Sequence, residues 1–121
     1  MSAFEDLQAI PPQLLAGGYL ARAVHGERLT LAVVEVEPGA DLPDHQHDNE
    51  QFGIVIEGSA VFRVGDETRT LGPGGIWRIT SGSPHAVIGG EAGAVVIDVF
   101  SPARADWRTH AQLESQPARW P

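Results

Sequence analysis

The sequence predicts an all-β domain, either a sandwich or a barrel, from three observations. Short β-rich runs recur along the chain, and glycine, proline and aspartate separate them at regular intervals. The segments Glu57-Gly58-Ser59 and Gly65-Asp66-Glu67 are tight-turn sequences that predict consecutive antiparallel hairpins. No convincing helical pattern occurs before the C-terminus. At 121 residues the chain fits one domain, 1–121, with a barrel core of about 19–100 and a C-terminal extension, 101–121.

The runs predict nine strands: 19–25, 28–37, 44–47, 51–57, 59–64, 68–71, 76–79, 85–88 and 94–100. Within 28–37 the apolar residues alternate as in a strand with one packed face, although Val34 and Val36 blur the alternation. Strands that are apolar on both faces are expected where a second sheet or a partner subunit covers the outside. A homodimer is therefore expected.

The C-terminal extension predicts one or two helical turns over 103–113. Trp107 is expected to pack against the outside of the barrel, and an aromatic platform for a substrate is the alternative. His25 and His110 lie outside every motif, and both are interpreted as surface histidines.

Composition excludes several classes of function. There is no cysteine, so any transition metal must be held by nitrogen and oxygen ligands. Sixteen acidic against eight basic residues give a net charge of −8, which opposes binding to nucleic acid or anionic lipid. The N-terminal segment lacks the basic and apolar regions of a signal peptide, and no apolar run approaches membrane-spanning length. A cytoplasmic location with no membrane partner is the expectation.

Two histidines one residue apart, His45 and His47, have metal-ligand spacing. On a strand both imidazoles point to the same face, and a regular strand continuing from His47 would turn Gln51 to that face and Glu50 away. With His85, thirty-eight residues beyond His47, they predict a site of three imidazoles and one amide oxygen. Two alternatives stay open: neighbouring surface histidines, and an irregular loop that brings in Glu50 as the ligand.

The spacing around these histidines resembles the two motifs of the cupin superfamily. The first motif, G(x)5HxH(x)3-4E(x)6G, is matched in register by Gly39, His45, His47, Gln51 and Gly58, with glutamine where glutamate is usual. The second, G(x)5PxG(x)2H(x)3N, is matched at Gly74, Gly82 and His85, whereas Thr80 and Gly89 depart from it. The resemblance implies a double-stranded β-helix, the cupin jelly-roll barrel.

The predicted last strand leads into a second cluster, Asp98-Val99-Phe100-Ser101-Pro102-Ala103-Arg104. Asp98 and Phe100 share parity and can both face a barrel interior, and Arg104 can fold back over its mouth. A carboxylate, an aromatic wall and a guanidinium suit a pocket for a small acid. The alternatives are a carboxylate satisfied by backbone donors at the strand end and a solvated surface arginine.

This combination resembles the small cupins grouped with pectin-degradation proteins, which linearise unsaturated monouronates. The resemblance implies a metal held by His45, His47, Gln51 and His85, and a site lined by Asp98, Phe100 and Arg104. Neutral ligands leave a divalent ion strongly Lewis acidic. A tautomerisation also needs a separate group that moves protons, and Asp98 is the candidate for this general acid/base. Arg104 is the candidate clamp for a substrate carboxylate. The ion could be Zn, Ni, Fe or Mn. A metal-dependent oxygenase and a non-catalytic cupin that binds a small ligand are the alternatives.

Overall fold

Eight strands build the protein, and its computed structural model describes residues 2–121. The strands are β1 (Gln13–Ala16), β2 (Tyr19–His25), β3 (Thr30–Val36), β4 (Asp41–His45), β5 (Glu50–Val64), β6 (Glu67–Leu71), β7 (Ile76–Ile79) and β8 (His85–Ser101). Short 3₁₀ turns occupy Leu7–Ala9 and Ala105–Thr109. The predicted all-β class and the C-terminal helical turn are both confirmed.

Two long strands, β5 and β8, replace four of the predicted ones. The chain does not turn back at Glu57-Gly58-Ser59, so the hairpin predicted there is wrong; β5 continues through it beside β8. Gly58 and Gly93 have positive φ, 73° and 71°, and a Cβ at Gly58 would collide with the carbonyl oxygen of Gly93. These glycines therefore bend a continuous pair of strands where the backbones approach closely. The other predicted hairpin, at Gly65-Asp66, is confirmed between β5 and β6.

The bend divides the sheet into two facing layers, as in a jelly roll. One layer contains β1, β2, β3, the second half of β8, the first half of β5, and β7. The other contains β4, the first half of β8, the second half of β5, and β6. Phe62 of the second layer stacks on Trp77 of the first, with ring centroids 4.2 Å apart. The space between the layers holds the core and, at one end, the cavity described below.

The register aligns the inward-facing residues in rows. Gln51 lies opposite Phe100 on β8, and Gly53 lies between Asp98 on β8 and Trp77 on β7. Asp98 and Phe100 are 7% and 3% exposed, in agreement with the parity expectation that both face inward.

An apolar row crosses the outer face of the first layer. Its members are directly opposite one another on β2, β3, β8 and β5, and each is more than a third exposed: Val24, Leu31, Val99 and Phe52. The expected homodimer would cover this surface.

One residue of the C-terminal extension, Trp107, lies in a different place from the one predicted. Trp107 belongs to the buried core, 4% exposed, and its ring packs edge-on against Phe100 at 5.0 Å instead of lying on the outside of the barrel. Across residues 2–121, none of the helical segments is long and apolar enough to span a membrane.

Candidate metal centre and its cavity

Three histidines from two strands and a loop converge at one end of the barrel. His45 ends β4 and pairs directly with His85, the first residue of β8, so that their ring centroids are 4.1 Å apart. His47 follows in the loop, with its ring centroid 4.8 Å from that of His85. One ligand atom from each of the three lies within 4.8 Å of the others, and among the described residues no acidic side chain joins this group.

Backbone carbonyls fix the tautomer of all three imidazoles. In each, Nδ1 lies at hydrogen-bond distance from a carbonyl oxygen two residues away: His45 from Pro43 (2.9 Å), His47 from Asn49 (3.0 Å) and His85 from Ser83 (2.8 Å). A carbonyl oxygen only accepts, so Nδ1 must carry the proton, and the lone pair of the neutral ring is on Nε2. Three Nε2 lone pairs are thus available to a cation.

Burial favours the neutral form of His47 and His85. It lowers the pKa of His47, and it lowers the pKa of His85 to about 4, with the two neighbouring histidines adding to the effect. His85 is 3% exposed, and its Nε2 atom is buried without a hydrogen-bond partner among the described residues. An orphaned buried lone pair is costly, and a metal ion would satisfy it. The donor set therefore fits a divalent transition ion.

Gln51 extends this donor set. Its Oε1 lies 3.1 Å from His47 Nε2, while its Nε2 donates a hydrogen bond of 2.9 Å to Asp98 Oδ1. Because His47 Nε2 bears a lone pair, two acceptors face each other, an arrangement that a shared cation would stabilise. Glu50 is exposed and lies outside the group, so the structure favours Gln51 as the fourth donor. The parity argument assumed one regular strand that continues from His47 to Gln51. This assumption was wrong, because β4 ends at His45 and Gln51 belongs to β5.

Asp98 lies inside the barrel beside the donor set. Burial raises the pKa of its carboxyl to about 7, against the hydrogen bond from Gln51, the charge of Arg104 and a hydrogen bond from Trp77. The absence of a side chain at Gly53 makes room for this arrangement. A Cβ there would overlap the Trp77 indole and lie 2.7 Å from Asp98 Oδ1. Trp77 thus fills the space above Gly53, a role that the sequence did not reveal.

Arg104 lines the cavity, between two aromatic rings. Its guanidinium carbon is 4.8 Å from the ring centroid of Phe100 and 4.7 Å from that of Trp107. Its Nε and Nη2 donate to the two carboxylate oxygens of Asp106, at 3.0 and 2.9 Å. The fork that was expected to clamp a substrate is therefore held by a residue of the chain itself, and Nη1 makes no hydrogen bond to any described residue.

A cavity of about 180 Å³ connects these groups. Its lining includes all the predicted site residues: His45, His47, Gln51, His85, Asp98, Phe100 and Arg104. Trp77, Trp107 and His110 also line it. His110 was interpreted as a surface histidine, but the C-terminal extension folds it back to the cavity. The Arg104-x-Asp106 spacing was the only signal in the sequence that this segment contributes to the site.

Residues 32–100 match the Cupin domain family, and the chain belongs to it. The grouping of His45, His47 and His85 agrees with what the cupin motifs predicted.

Within this family the chain is similar to the pectin degradation protein KdgF of Dickeya dadantii, with 35% identity over 80 residues, 65% of this chain and 73% of that protein. The solved structure of KdgF from Halomonas sp. has a TM-score of 0.80, with 28% identity over 88% of this chain and 98% of that one. Oxalate decarboxylase OxdC of Bacillus subtilis is 30% identical over 122 residues, which cover 84% of this chain but only 31% of that longer protein.

Proposed function

We propose that this protein is a metal-dependent enzyme that isomerises a small sugar acid, with linearisation of unsaturated monouronates as the favoured reaction. The observation that carries the proposal is the amide of Gln51, which faces the His47 lone pair with its oxygen and holds Asp98 with its nitrogen. A metal donor set and a buried carboxyl group are thereby adjacent in one cavity, which is the arrangement that a Lewis-acid-assisted proton transfer requires.

His45, His47, His85 and Gln51 would hold the ion. When bound there, a divalent ion would supply Lewis acidity toward a hydroxyl, carboxylate or carbonyl oxygen of the substrate, undiminished by any negatively charged ligand among the four. This chemistry alone moves no proton from oxygen to carbon, so a keto-enol tautomerisation needs a separate carrier.

Asp98 is that carrier in the proposed mechanism. Its carboxyl accepts a proton from a substrate hydroxyl and returns a proton to a carbon, so that the reaction exchanges no net proton with the protein. The hydrogen bond from Gln51 holds the carboxyl in position, and the Trp77 indole above Gly53 closes the space behind it.

Arg104 receives the carboxylate of the substrate. Because Asp106 already holds Nε and Nη2, the contact is made end-on by Nη1 instead of through the two-donor edge. The rings of Phe100 and Trp107 flank the guanidinium and keep water from it, which strengthens an ionic hydrogen bond.

Two relatives support the class of substrate and the metal. KdgF is described as a pectin degradation protein, and it matches the chain over most of its length. The oxalate decarboxylase of Bacillus subtilis has Mn(II) centres. Pectin and oxalate are both acidic compounds, in agreement with a cavity that is lined by the Arg104 guanidinium.

Metal analysis of protein purified without chelator or a nickel column tests the first half of the proposal, and one equivalent of a transition metal per chain is expected. Incubation with unsaturated monouronates tests the second half, and their ultraviolet absorbance should disappear. Oxygen consumption would instead identify an oxygenase, and an inert, metal-loaded protein would identify a binding module.

Asp98→Asn separates chemistry from metal binding. The variant should lose about 10²–10⁴-fold in turnover, because a positioned proton carrier is removed, while its metal content stays normal. Asp66→Asn, an equal change in the exposed turn between β5 and β6, is the control and should turn over substrate normally. Full activity of Asp98→Asn would refute the proposed role.

A further inference from the structure

A second, open pocket of about 430 Å³ adjoins the metal cavity, and the two share His110. We call it the side pocket; its lining is Ile10, Pro11, Gln13, Ala23, His25, Arg108, His110 and Gln112. It lies between the segment that enters β1, the end of β2, and the second 3₁₀ turn with the residues that follow it.

The walls of the side pocket are fixed by hydrogen bonds between distant parts of the chain. The amide nitrogen of Leu113 donates to the carbonyl of Pro12 at 2.8 Å, and Gln13 and Gln112 form an isolated β-bridge. The buried side chain of Gln13 donates to the carbonyl of Trp107 at 3.0 Å, which attaches this wall to the residue that flanks Arg104. These hydrogen bonds therefore hold the walls of the side pocket in place.

His25 offers a fixed hydrogen-bond donor to the side pocket. The hydroxyl of Thr30, with 0% exposure, accepts from the backbone N–H of Arg104 and lies 2.8 Å from His25 Nδ1. Its own proton has only this Nδ1 as an acceptor among the described residues, so Nδ1 bears the lone pair and Nε2 bears hydrogen. Burial and the charge of Arg108 lower the pKa of His25, against the opposite effect of Asp106, and this favours the neutral ring.

Arg108 gives the lining a positive charge, and none of the eight lining residues is acidic, in a chain of net charge −8. Arg108 makes no ion pair and no side-chain hydrogen bond within residues 2–121. The carboxylate two residues away in sequence, that of Asp106, is held by Nε and Nη2 of Arg104. The side pocket thus contains hydrogen-bond donors that have no acceptor among the described residues, and such a site favours an anion.

We propose that the side pocket is a second binding site, for the carboxylate group of a sugar acid, received by Arg108 and His25. Since His110 lines both cavities, the carboxylate can belong to the second unit of a ligand whose first unit occupies the metal cavity. It can also belong to a separate monomeric acid. The choice of sugar acid rests on the proposed function, whereas the preference for an anion rests on the lining alone.

Calorimetric titration of the metal-loaded protein with galacturonate, digalacturonate and neutral galactose tests the proposal. The informative variant is Arg108→Gln. The matched control is Arg28→Gln, which makes the same charge change at an exposed arginine that lines neither pocket. Arg108→Gln should weaken binding at the side pocket about tenfold, because one charge-assisted hydrogen bond is lost, whereas Arg28→Gln should bind as wild type.

The arms distinguish the two sources of the carboxylate. If one ligand spans both cavities, digalacturonate binds with one-to-one stoichiometry and more tightly than galacturonate, and Arg108→Gln removes this difference. If a separate acid binds, galacturonate occupies two sites and Arg108→Gln weakens binding at one of them about tenfold. Equal behaviour of Arg108→Gln and Arg28→Gln with both acids, binding of galactose as tight as that of the acids, or no binding of either acid would overturn the proposal.

Turnover of unsaturated monouronates is measured separately. Arg108-dependent binding in a protein without turnover would retain the side pocket and refute the proposed function. Turnover without Arg108-dependent binding would do the reverse.

Discussion

Replacement of Gly53 by alanine would test the packing that positions Asp98. The added Cβ overlaps atoms Cζ2 and Cε2 of Trp77 and lies 2.7 Å from Asp98 Oδ1. The indole would have to retreat by roughly 1.5 Å to restore ordinary carbon–carbon contact of about 3.5–4.0 Å. Trp77 is 6% exposed and stacked on Phe62, so it has little freedom to do so. We expect the free energy of unfolding to fall by about 1–3 kcal/mol, the usual cost of overpacking a core.

The same change should also reduce turnover, because the Asp98 carboxyl is displaced, while the metal content remains that of the wild type. Urea denaturation followed by tryptophan fluorescence gives the stability, and metal analysis and the uronate assay give the other two quantities. Gly17→Ala is the control, since a Cβ there meets no atom within 4 Å and its φ is ordinary, so it should change stability by less than about 0.5 kcal/mol. If the two variants unfold at the same urea concentration and turn over substrate alike, the close approach of Trp77 to Gly53 is refuted.

Gln51→Glu should keep or tighten metal binding by adding charge but slow turnover, and an unchanged rate would contradict a role for strong Lewis acidity. Arg104→Ala should raise KM more than it lowers kcat, since a carboxylate contact holds ground and transition states alike; steady-state kinetics decide this. Tyr19 is the only tyrosine, and burial raises its pKa to about 12, so its ultraviolet titration should lie well above that in denaturant, near 10. The folded state keeps this proton longer than the unfolded state, so stability should fall as pH rises through this window. The apolar outer row predicts that light scattering gives twice 12.9 kDa and that Leu31→Glu gives a monomer.

The sequence predicted the components of the site better than the paths of the strands. Spacing alone identified the histidines, and parity along one strand placed Asp98 and Phe100 together, because both depend on local geometry. Prediction from the sequence failed for the strand path where one residue makes a long-range contact. The sequence around Gly58 is typical of a tight turn, but Gly58 instead pairs with Ala94 of β8 where the two strands bend. Only the position of β8 decides between a turn and a continuous strand.

Residues of the C-terminal extension were beyond prediction for a different reason. Asp106, Trp107 and His110 lie in a short 3₁₀ segment and its exit, where neither helical nor strand periodicity applies. Their positions depend on contacts with the start of β1, such as the one between Gln13 and the Trp107 carbonyl, ninety-four residues apart in sequence. A pattern within the segment cannot contain that information, so an aromatic residue there was expected outside the barrel.

The neighbours of Gln51 give a physical reason for glutamine, instead of glutamate, at this position. A glutamate would present the same oxygen to His47, but it has no N–H with which to donate to Asp98, and its charge would lie about one hydrogen bond away from a buried carboxyl group. Two carboxylates so placed raise the pKa of one of them strongly, and Asp98 would then be held protonated and unable to accept a proton. Glutamine avoids this because its amide is neutral and has a donor as well as an acceptor. The departure from the usual cupin motif at Gln51 and the presence of Asp98 opposite Gly53 are therefore one feature of the site, in which the amide oxygen of Gln51 faces His47 and its nitrogen donates to Asp98.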